Sequence, residues 1–338
     1  MLNYCIKLKF NTALHVGKES QTTDMSQSNK IVHNDTLFSA LVIESQRVFG
    51  NEGMRKFIED NIKGKIKFSS LLPYKAEHYL IPRPIIAIKS DIADNNKDKS
   101  FAKKMKKLSF LPASMLKDLI EYYKGNQNFD ADFCLNLEKE LGKEDIRVNC
   151  KINRERTGQD NMPYYVGTYS YNEDSGLYFI LSVEDEKSFS RILKIIKSLG
   201  YSGLGGRINN GLGKFCVEDY VLIDENAQNK DLMILNSLLT NDKAQKYMTL
   251  SLCLPKQEEI KEIVEGANYS LVKRSGFIQS ANFSDSLCKK KDMFVFNIGS
   301  TFKQNFTGDV FDVSPFEGNH KVYRHLKPFW LGVDVWKQ

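Results

Sequence analysis

The most chemically suggestive stretch of the chain is a glycine cluster at residues 200–213. Glycine occupies six of these fourteen positions, and the basic residues Arg207 and Lys214 stand within and directly after the cluster. A glycine backbone can adopt positive φ and approach a ligand closely, and successive amides of such a loop can surround an anion. The cluster therefore predicts a loop that binds a phosphate backbone. A simple connection between a helix and a strand is the structural alternative.

Two familiar nucleotide-binding motifs do not fit this cluster. Gly206 and Gly211 have the spacing of a Walker A motif, but Leu212 stands where that motif requires lysine. Ile208 stands where a GxGxxG motif requires its third glycine, and the predicted order of helix, loop and strand is the reverse of both motifs. The loop residues that we expect to contact the ligand are Gly203, Gly205, Gly206, Arg207, Asn209, Asn210, Gly211, Gly213 and Lys214.

Histidines are the side chains that could catalyse cleavage of a phosphodiester if the phosphate-binding chain were an enzyme. Metal-independent cleavage needs a base for the 2′-hydroxyl and a proton donor for the leaving oxygen. For His15, in the first loop, we favour an RNA contact or a structural role over catalysis, and for His33 a place at a helix N-terminus. His320 and His325 are five residues apart on a predicted strand, hence on opposite faces, which argues against a metal pair.

The remaining candidate metal ligands do not form a recognisable site. Asp35 stands at the expected start of a helix, where a short carboxylate can cap the free amides. Asp24 has no neighbouring carboxylate, so a magnesium site with two carboxylates is not predicted. The six cysteines are scattered singly without a CxxC pair, which predicts reduced thiols and neither a zinc knuckle nor a dithiol redox site. We expect no metal and no cofactor.

Arginines and tyrosines of one polar stretch suit nucleic-acid binding better than catalysis. Arg154 and Arg156 alternate on a strand-like segment, so both can face one groove. A guanidinium fork matches phosphate and stacks on unpaired bases. Lys18 of the first loop is a further expected RNA contact. Tyrosines that could stack on bases, or simply pack the hairpin, are Tyr164, Tyr165 and Tyr169.

Composition indicates a globular protein with a mild excess of positive charge. Hydrophobic residues make up 41% and charged residues 27% of the 338 positions, and the net charge is +6. Six lysines against one aspartate at 97–107 could neutralise phosphates, although a solvated helix face is the simpler interpretation. The sequence has neither a run of about 18 apolar residues nor the apolar core of a signal peptide, so we expect no membrane contact and a cytoplasmic location.

Hydrophobic periodicity predicts alternating strands and helices in the first two thirds of the chain. The predicted elements are a strand at 2–10, a helix from about 34 that stops at Gly50, a strand at 176–183, a helix at 186–200 and a strand at 214–223. Beyond a polar stretch at 224–231, four further segments read as strands, and two prolines keep the IPRPI segment at 81–85 extended.

This order predicts an α+β protein made of two ferredoxin-like (RRM-like) βαββαβ domains, the first with insertions. The first domain spans residues 1–223, with an insertion at about 65–175 and the glycine-rich loop at 200–213. The second, strand-rich domain spans residues 232–338, and its ferredoxin-like character is inferred without a detectable internal repeat.

Several motifs resemble one protein family. The sequence GLGGRINNGLGKF, just before the last strand of the first domain, resembles the glycine-rich signature of the RAMP superfamily of CRISPR proteins. The other matching segments are LHVG, HNDTLFSAL, IPRP, NRERTG with a following GLY, and the C-terminal HKVYRHLKPFWLGV. Together, and in order over nearly the whole chain, they resemble the fourth subunit of the Csm complex of type III-A CRISPR systems.

This resemblance implies a role in RNA-guided defence. Such subunits hold the repeat-derived 5′ tag of the guide RNA (crRNA), dock on the large palm-domain subunit and contact the first backbone RAMP subunit, without cutting RNA. Two alternatives stay open. One is a metal-independent endoribonuclease that processes CRISPR repeat RNA, and the other is another RAMP subunit of a type III complex that acts mainly as a protein scaffold.

Overall fold

A computed structural model describes residues 1–17, 25–86, 99–151, 162–280, 282–284 and 286–334. Helices and antiparallel sheets occur in both halves of the chain, which confirms the mixed α and β character expected from the sequence. In these ranges no helix is both long enough and apolar enough to cross a membrane. All six cysteines are free thiols.

The N-terminal half is organised around one large antiparallel sheet. Its strands, in chain order, are β1 (Leu2–Phe10), β2 (Ile66–Phe68), β3 (Leu72–Lys75), β4 (His78–Pro82), β5 (Phe110–Pro112), β6 (Gly142–Lys151), β7 (Met162–Tyr171), β8 (Ser175–Val183) and β9 (Phe215–Leu222). The order in the sheet is β5-β4-β3-β8-β1-β9, and β2 also pairs with β8. The remaining two strands, β6 and β7, form a separate hairpin.

The centre of this sheet follows directly from the apolar pattern of the sequence. Leu8 of β1 lies opposite Leu177 of β8, and Phe10 lies opposite Phe215 of β9, so the three predicted strands are neighbours. The strand β8 is buried over its whole length, as its nearly continuous apolar sequence indicates. Residues 66–75 also pair with β8, so the sheet includes the first part of the segment expected to be an insertion.

Seven helices occur in the described residues: α1 (Asn34–Ile62), α2 (Lys99–Lys107), α3 (Leu116–Tyr123), α4 (Ala131–Glu140), α5 (Glu186–Ser202), α6 (Lys230–Thr240) and α7 (Ile260–Val264). The expected stop at Gly50 is only a break, because Gly50 (φ 69°) interrupts α1 and the helix resumes to Ile62. The lysine run forms α2, where Lys104 pairs with Asp132 at 2.7 Å. The apolar faces of α1 and α5 cover one face of the sheet.

The other face of the sheet is covered as well. Tyr178 and Ile180 of β8 pack in one core with Leu119 of α3, Leu137 of α4 and Leu235 of α6. RNA-recognition modules stack bases on an open sheet face. Because the central strands here are buried on both sides, the comparison with RNA-recognition modules does not extend to their binding surface.

The C-terminal half is strand-rich, as expected. Its strands are β10 (Lys246–Thr249), β11 (Leu271–Arg274), β12 (Met293–Phe296), β13 (Thr301–Phe302), β14 (Asp309–Asp312), β15 (Tyr323–Leu326) and β16 (Trp330–Val333). They form a three-stranded sheet in the order β13-β10-β16 and two hairpins, β11–β12 and β14–β15, within the described residues. A second ferredoxin-like domain stays a prediction.

The start of α1 connects the two halves. The side chain of Asn34 accepts a hydrogen bond from the Leu252 amide (2.8 Å) and donates to the carbonyl oxygens of Leu252 (3.1 Å) and His325 (3.0 Å). The expectation that Asp35 caps the helix is wrong, because His33 occupies the N-cap position and the Asp35 carboxylate turns to the C-terminal half.

Asp35 is the anion of a buried charge cluster. Arg274 donates two hydrogen bonds to its carboxylate, from Nε at 3.0 Å and Nη2 at 2.8 Å, and Arg324 Nε lies 3.9 Å away. Burial opposes ionisation of Asp35, but the charges of Arg274 and Arg324 outweigh it and hold its pKa well below the usual range. The ion pair therefore stabilises the fold above a pH of about 4 and loses this contribution as the pH falls through the lowered pKa.

Replacing Asp35 with asparagine should destabilise the protein strongly. The D35N variant leaves the buried Arg324 and the partly buried Arg274 without the carboxylate that they face, and breaking a buried pair in this way costs about 3–5 kcal/mol. Denaturant unfolding at neutral pH measures the difference from wild type, which should shrink below pH of about 4. The control is D292N, because Asp292 pairs with Lys273 and Lys289 at the surface. Its replacement should lower the free energy of unfolding far less. Equal losses in both variants would contradict this account.

Candidate nucleic-acid interface

The glycine-rich loop is an ordered structure with positive φ at several glycines. It begins at the end of α5, where Gly203 (φ 93°) donates its amide to the Leu199 carbonyl at 2.8 Å. Gly205, Gly211 and Gly213 have φ values of 95°, 78° and 72°, which side chains rarely permit. The glycines are therefore required by the conformation of the loop itself.

Backbone hydrogen bonds tie the loop to the segment after β1. The Gly206 amide donates to the His15 carbonyl at 2.8 Å, and the Gly213 amide donates to the Ala13 carbonyl at 2.9 Å. The Leu204 amide closes the loop on the Gly213 carbonyl at 2.9 Å. The Lys214 amide donates to Thr12 Oγ1 at 2.9 Å. These amides are therefore occupied by the protein, and the base of the loop is a rigid frame.

The outer part of the loop is the part that can meet a ligand. Residues 208–210 form a short 3₁₀ turn, and the side chains of Asn209 and Asn210 are exposed, as is that of Lys214. The amides of Arg207, Ile208 and Asn209 have no backbone partner among the described residues. The amides that can bind an anion therefore lie at these outer positions and are not spread over the whole glycine cluster.

Arg207 is held beside a tyrosine of the neighbouring hairpin. Its guanidinium carbon lies 5.2 Å from the centre of the Tyr164 ring, and Nη2 lies 3.2 Å from Met25 Sδ. Arg207 itself has φ 59°, an uncommon left-handed conformation for a residue other than glycine. A cation over an aromatic face within about 6 Å is attracted to it. The charge of Arg207 is therefore fixed at the surface of the loop.

His15 lies under the loop. Its Nδ1 lies 2.6 Å from the Gly167 carbonyl oxygen, and only 7% of the residue is exposed. A Cβ atom on Gly206 would lie 2.8 Å from His15 Cδ2. This geometry gives His15 a positioning role between the glycine loop and β7, and its expected RNA contact stays a prediction.

The β6–β7 hairpin forms the second wall of the site. Leu14 pairs with Tyr169, and the Gly167 amide donates to the Met25 carbonyl at 2.7 Å. Tyr169 is buried, so it packs the hairpin, whereas Tyr165 is 55% exposed. Four residues considered in the sequence analysis lie outside the described residues: Lys18, Asp24, Arg154 and Arg156.

The other candidate histidines are not gathered at this loop. His33 is buried at the start of α1, and His325 is fully buried against Phe68, with ring centres 4.6 Å apart. Burial, and the nearby charge of Lys327, lower the pKa of His325 to about 3. His320 is exposed near Ser280, at 2.8 Å from its hydroxyl. Within the described ranges no group of three or more His, Cys, Asp or Glu side chains could hold a metal ion.

One exposed side chain at the edge of this site is not among the residues expected from the sequence. Tyr201 lies in the last turn of α5, two residues before Gly203, and 85% of its surface is exposed. Its position could have been recognised from the sequence. Tyr201 follows the exposed positions of α5 at helical spacing and is not part of the apolar stripe, so its ring should be exposed.

Two glycines of the loop should differ sharply in their tolerance of alanine. A Cβ on Gly213 would lie 1.9 Å from the Leu204 carbonyl oxygen, whereas nothing lies within 4 Å of a Cβ on Gly211. Positive φ costs roughly 1–2 kcal/mol in both variants, and crowding adds roughly 1–3 kcal/mol at Gly213 only. Thermal and denaturant unfolding of G213A and G211A measures the difference in stability between the two variants. Similar stabilities would contradict the close packing of Gly213 in the hydrogen-bonded base of the loop.

Two family models match the chain. The RAMP superfamily model matches residues 7–216, and the model of the CRISPR Csm4 C-terminal domain matches residues 242–333. A solved chain from a Csm3-Csm4 subcomplex of a type III-A CRISPR-Cas interference complex has a TM-score of 0.64 at 23% identity, covering 99% of this chain and 100% of that one. A chain from a Csm1-Csm4 cassette in complex with cA4 has a TM-score of 0.58 at 17% identity, with 100% of both chains covered. These two neighbours share the fold.

Curated relatives agree with the family models. The CRISPR system protein Csm4 of Mycobacterium tuberculosis is 30% identical over 299 residues, which is 88% of this chain and 89% of the relative. The Csm4 protein of Streptococcus thermophilus is 29% identical over 305 residues, which is 89% of this chain and 90% of the relative. The chain therefore belongs to the RAMP superfamily and, within it, to the Csm4 family of CRISPR proteins.

Proposed function

We propose that this chain is the guide-RNA-binding subunit of a type III-A CRISPR (Csm) interference complex and that it does not cleave RNA. In this role it holds the repeat-derived 5′ tag of the crRNA, docks the large palm-domain subunit and contacts a backbone RAMP subunit. The observation that carries the proposal is the outward-facing part of the glycine loop, residues 207–211, presented on a rigid hydrogen-bonded frame.

The loop suits an RNA backbone for two physical reasons. The frame fixes the outer residues before RNA arrives, so little conformational entropy is lost on binding. The fixed guanidinium of Arg207 and the exposed ammonium of Lys214 supply positive charge at the two ends of the outer segment. Such cations release counterions from a polyphosphate when they bind it. The neighbouring Tyr165 and the expected contacts at Lys18, Arg154 and Arg156 would extend the same surface.

A binding role fits the histidines better than catalysis does. Cleavage without metal needs two proton-transfer groups that converge on one phosphodiester. His15 is buried on a carbonyl oxygen under the loop, and His33 and His325 are buried elsewhere. Within the described residues, no second histidine stands at the glycine loop to complete such a pair.

Two domains of ferredoxin-like type are part of the proposal. In the first, over residues 1–223, β8, β1 and β9 are adjacent and β3 lies on the far side of β8, with α1 and α5 as the connecting helices. The matches to the two family models fall on either side of the predicted boundary at 224–231, which supports a second unit over 232–338.

The solved neighbours support two protein partners. One comes from a Csm3-Csm4 subcomplex and the other from a Csm1-Csm4 cassette. We transfer both kinds of contact to this chain as part of the proposal. A chain that served only as a scaffold would make the same protein contacts, but it would not crosslink to crRNA under ultraviolet light in the assembled complex.

Removing the charge of Arg207 should weaken RNA binding. The R207A variant loses a charge-assisted phosphate contact worth roughly 1.5–3 kcal/mol, so the affinity for tagged crRNA should fall about 10- to 100-fold. The salt dependence of binding should become shallower by about 0.7 in log–log slope, the value for one single-strand contact. Filter binding across a salt series measures both quantities.

The matched control for R207A is K117A, which removes one exposed positive charge from α3 in the inserted segment. It should bind tagged crRNA like wild type. A folded R207A protein that binds as tightly as wild type at every salt concentration would show that the glycine loop is only a connection.

The purified protein should leave CRISPR repeat RNA intact. The geometry of the described histidines offers no converging acid and base, so incubation with repeat RNA, followed by denaturing electrophoresis, should show no specific products. An H15A protein should give the same pattern. Specific products that disappear in H15A would favour the endoribonuclease alternative.

A further inference from the structure

The polar face of α5 leads to the glycine loop. After the exposed Glu186 of the first turn, its exposed positions recur at helical spacing: Lys187, Ser190, Lys194, Lys197 and Tyr201. The opposite face, with Ile192, Ile196 and Leu199, is buried on the sheet. Within the described residues, neither Lys194 nor Lys197 forms an ion pair, although Lys194 lines a cleft with Asp60, Glu184 and Asp185.

Tyr201 ends this polar face with a large exposed ring. At 85% exposure its ring contributes almost nothing to the core, although aromatic side chains are among the most stabilising when buried. The position lies one helical turn beyond Lys197 and directly before the loop. An aromatic ring that is exposed at this position can stack on a planar group such as a nucleobase.

The turn that carries Tyr201 is firmly anchored. A Cβ on Gly200 would lie 2.3 Å from the Phe215 carbonyl oxygen, so the helix touches the start of β9 here. Ser202 Oγ donates to the buried Glu44 carboxylate at 2.9 Å, and Arg47 Nη1 donates to Ser202 Oγ at 3.0 Å. The backbone of Tyr201 is therefore fixed relative to the outer part of the glycine loop.

We infer that Tyr201 is a base-stacking platform for single-stranded RNA that extends from the glycine loop, and that Lys197 and Lys194 contact the adjoining phosphates. This inference rests on the proposed RNA-binding function. Stacking on an aromatic ring tolerates any base, because every base has a π face. Two unpaired ammonium groups one and two turns away supply the positive charge that a polyphosphate strand requires.

The experiment compares binding of full-length tagged crRNA to Y201A, Y201F and the double variant K194A/K197A. Removing one stacked base platform should weaken binding roughly 5- to 100-fold in Y201A, while Y201F keeps the ring and should bind like wild type. The double variant should lower the salt slope by about 1.4, or 0.7 for each lost contact. Ultraviolet crosslinking with peptide mapping should place RNA on the Tyr201 peptide.

The matched control is Y220A. Tyr220 of β9 is 45% exposed and lies 5.4 Å from Phe189, at the opposite end of α5, so its loss should leave RNA affinity unchanged. All variants are compared as folded, full-length chains with equal thermal transitions.

The outcomes separate this inference from the proposed function. Wild-type affinity in Y201A together with weak binding in R207A would overturn the stacking platform and leave the RNA-binding role intact. Wild-type affinity in both variants would overturn both. Unchanged RNA affinity in Y201A with lost assembly onto the protein subunits would identify a protein contact and would also overturn the inference.

Discussion

The hydrogen-bonded attachment of the glycine loop to the segment after β1 is the constraint on which the site depends. Two amides of the loop, those of Gly206 and Gly213, donate to carbonyls at His15 and Ala13. These bonds need a close approach of two backbones, which a side chain at Gly205 would prevent, because its Cβ would lie 2.6 Å from the His15 carbonyl oxygen. The density of glycine in this loop is thus explained first by packing.

This constraint divides the site into a fixed base and an accessible rim. Because β1 and β9 are paired at Phe10 and Phe215, the segment at 12–15 and the end of the loop are held at the same edge of the sheet. The hairpin β6–β7 joins them through Leu14, and its Tyr164 supports the charge of Arg207. Both faces of the sheet are covered, so neither face is open to a ligand.

Charged residues lie in different environments at the start of α1 and along α5. At the start of α1 a single carboxylate, Asp35, faces two arginines of the C-terminal half, and its burial makes the pairing structural. Along α5 the lysines Lys187, Lys194 and Lys197 are exposed to solvent. Burial therefore makes the first set of charges important for stability, whereas exposed charges contribute little to it.

The sequence alone determined the strands β1, β8 and β9, the helix α5 and the position of the glycine loop, because local periodicity and glycine content encode them directly. It could not show that Asp35 pairs across the chain with Arg274 instead of capping α1, since its partner is 239 residues away. Nor could it show that His15 is buried under the loop. Burial and long-range pairing arise only when distant segments pack together, and tertiary structure alone decided which glycine amides are hydrogen-bonded and which histidines and tyrosines are buried.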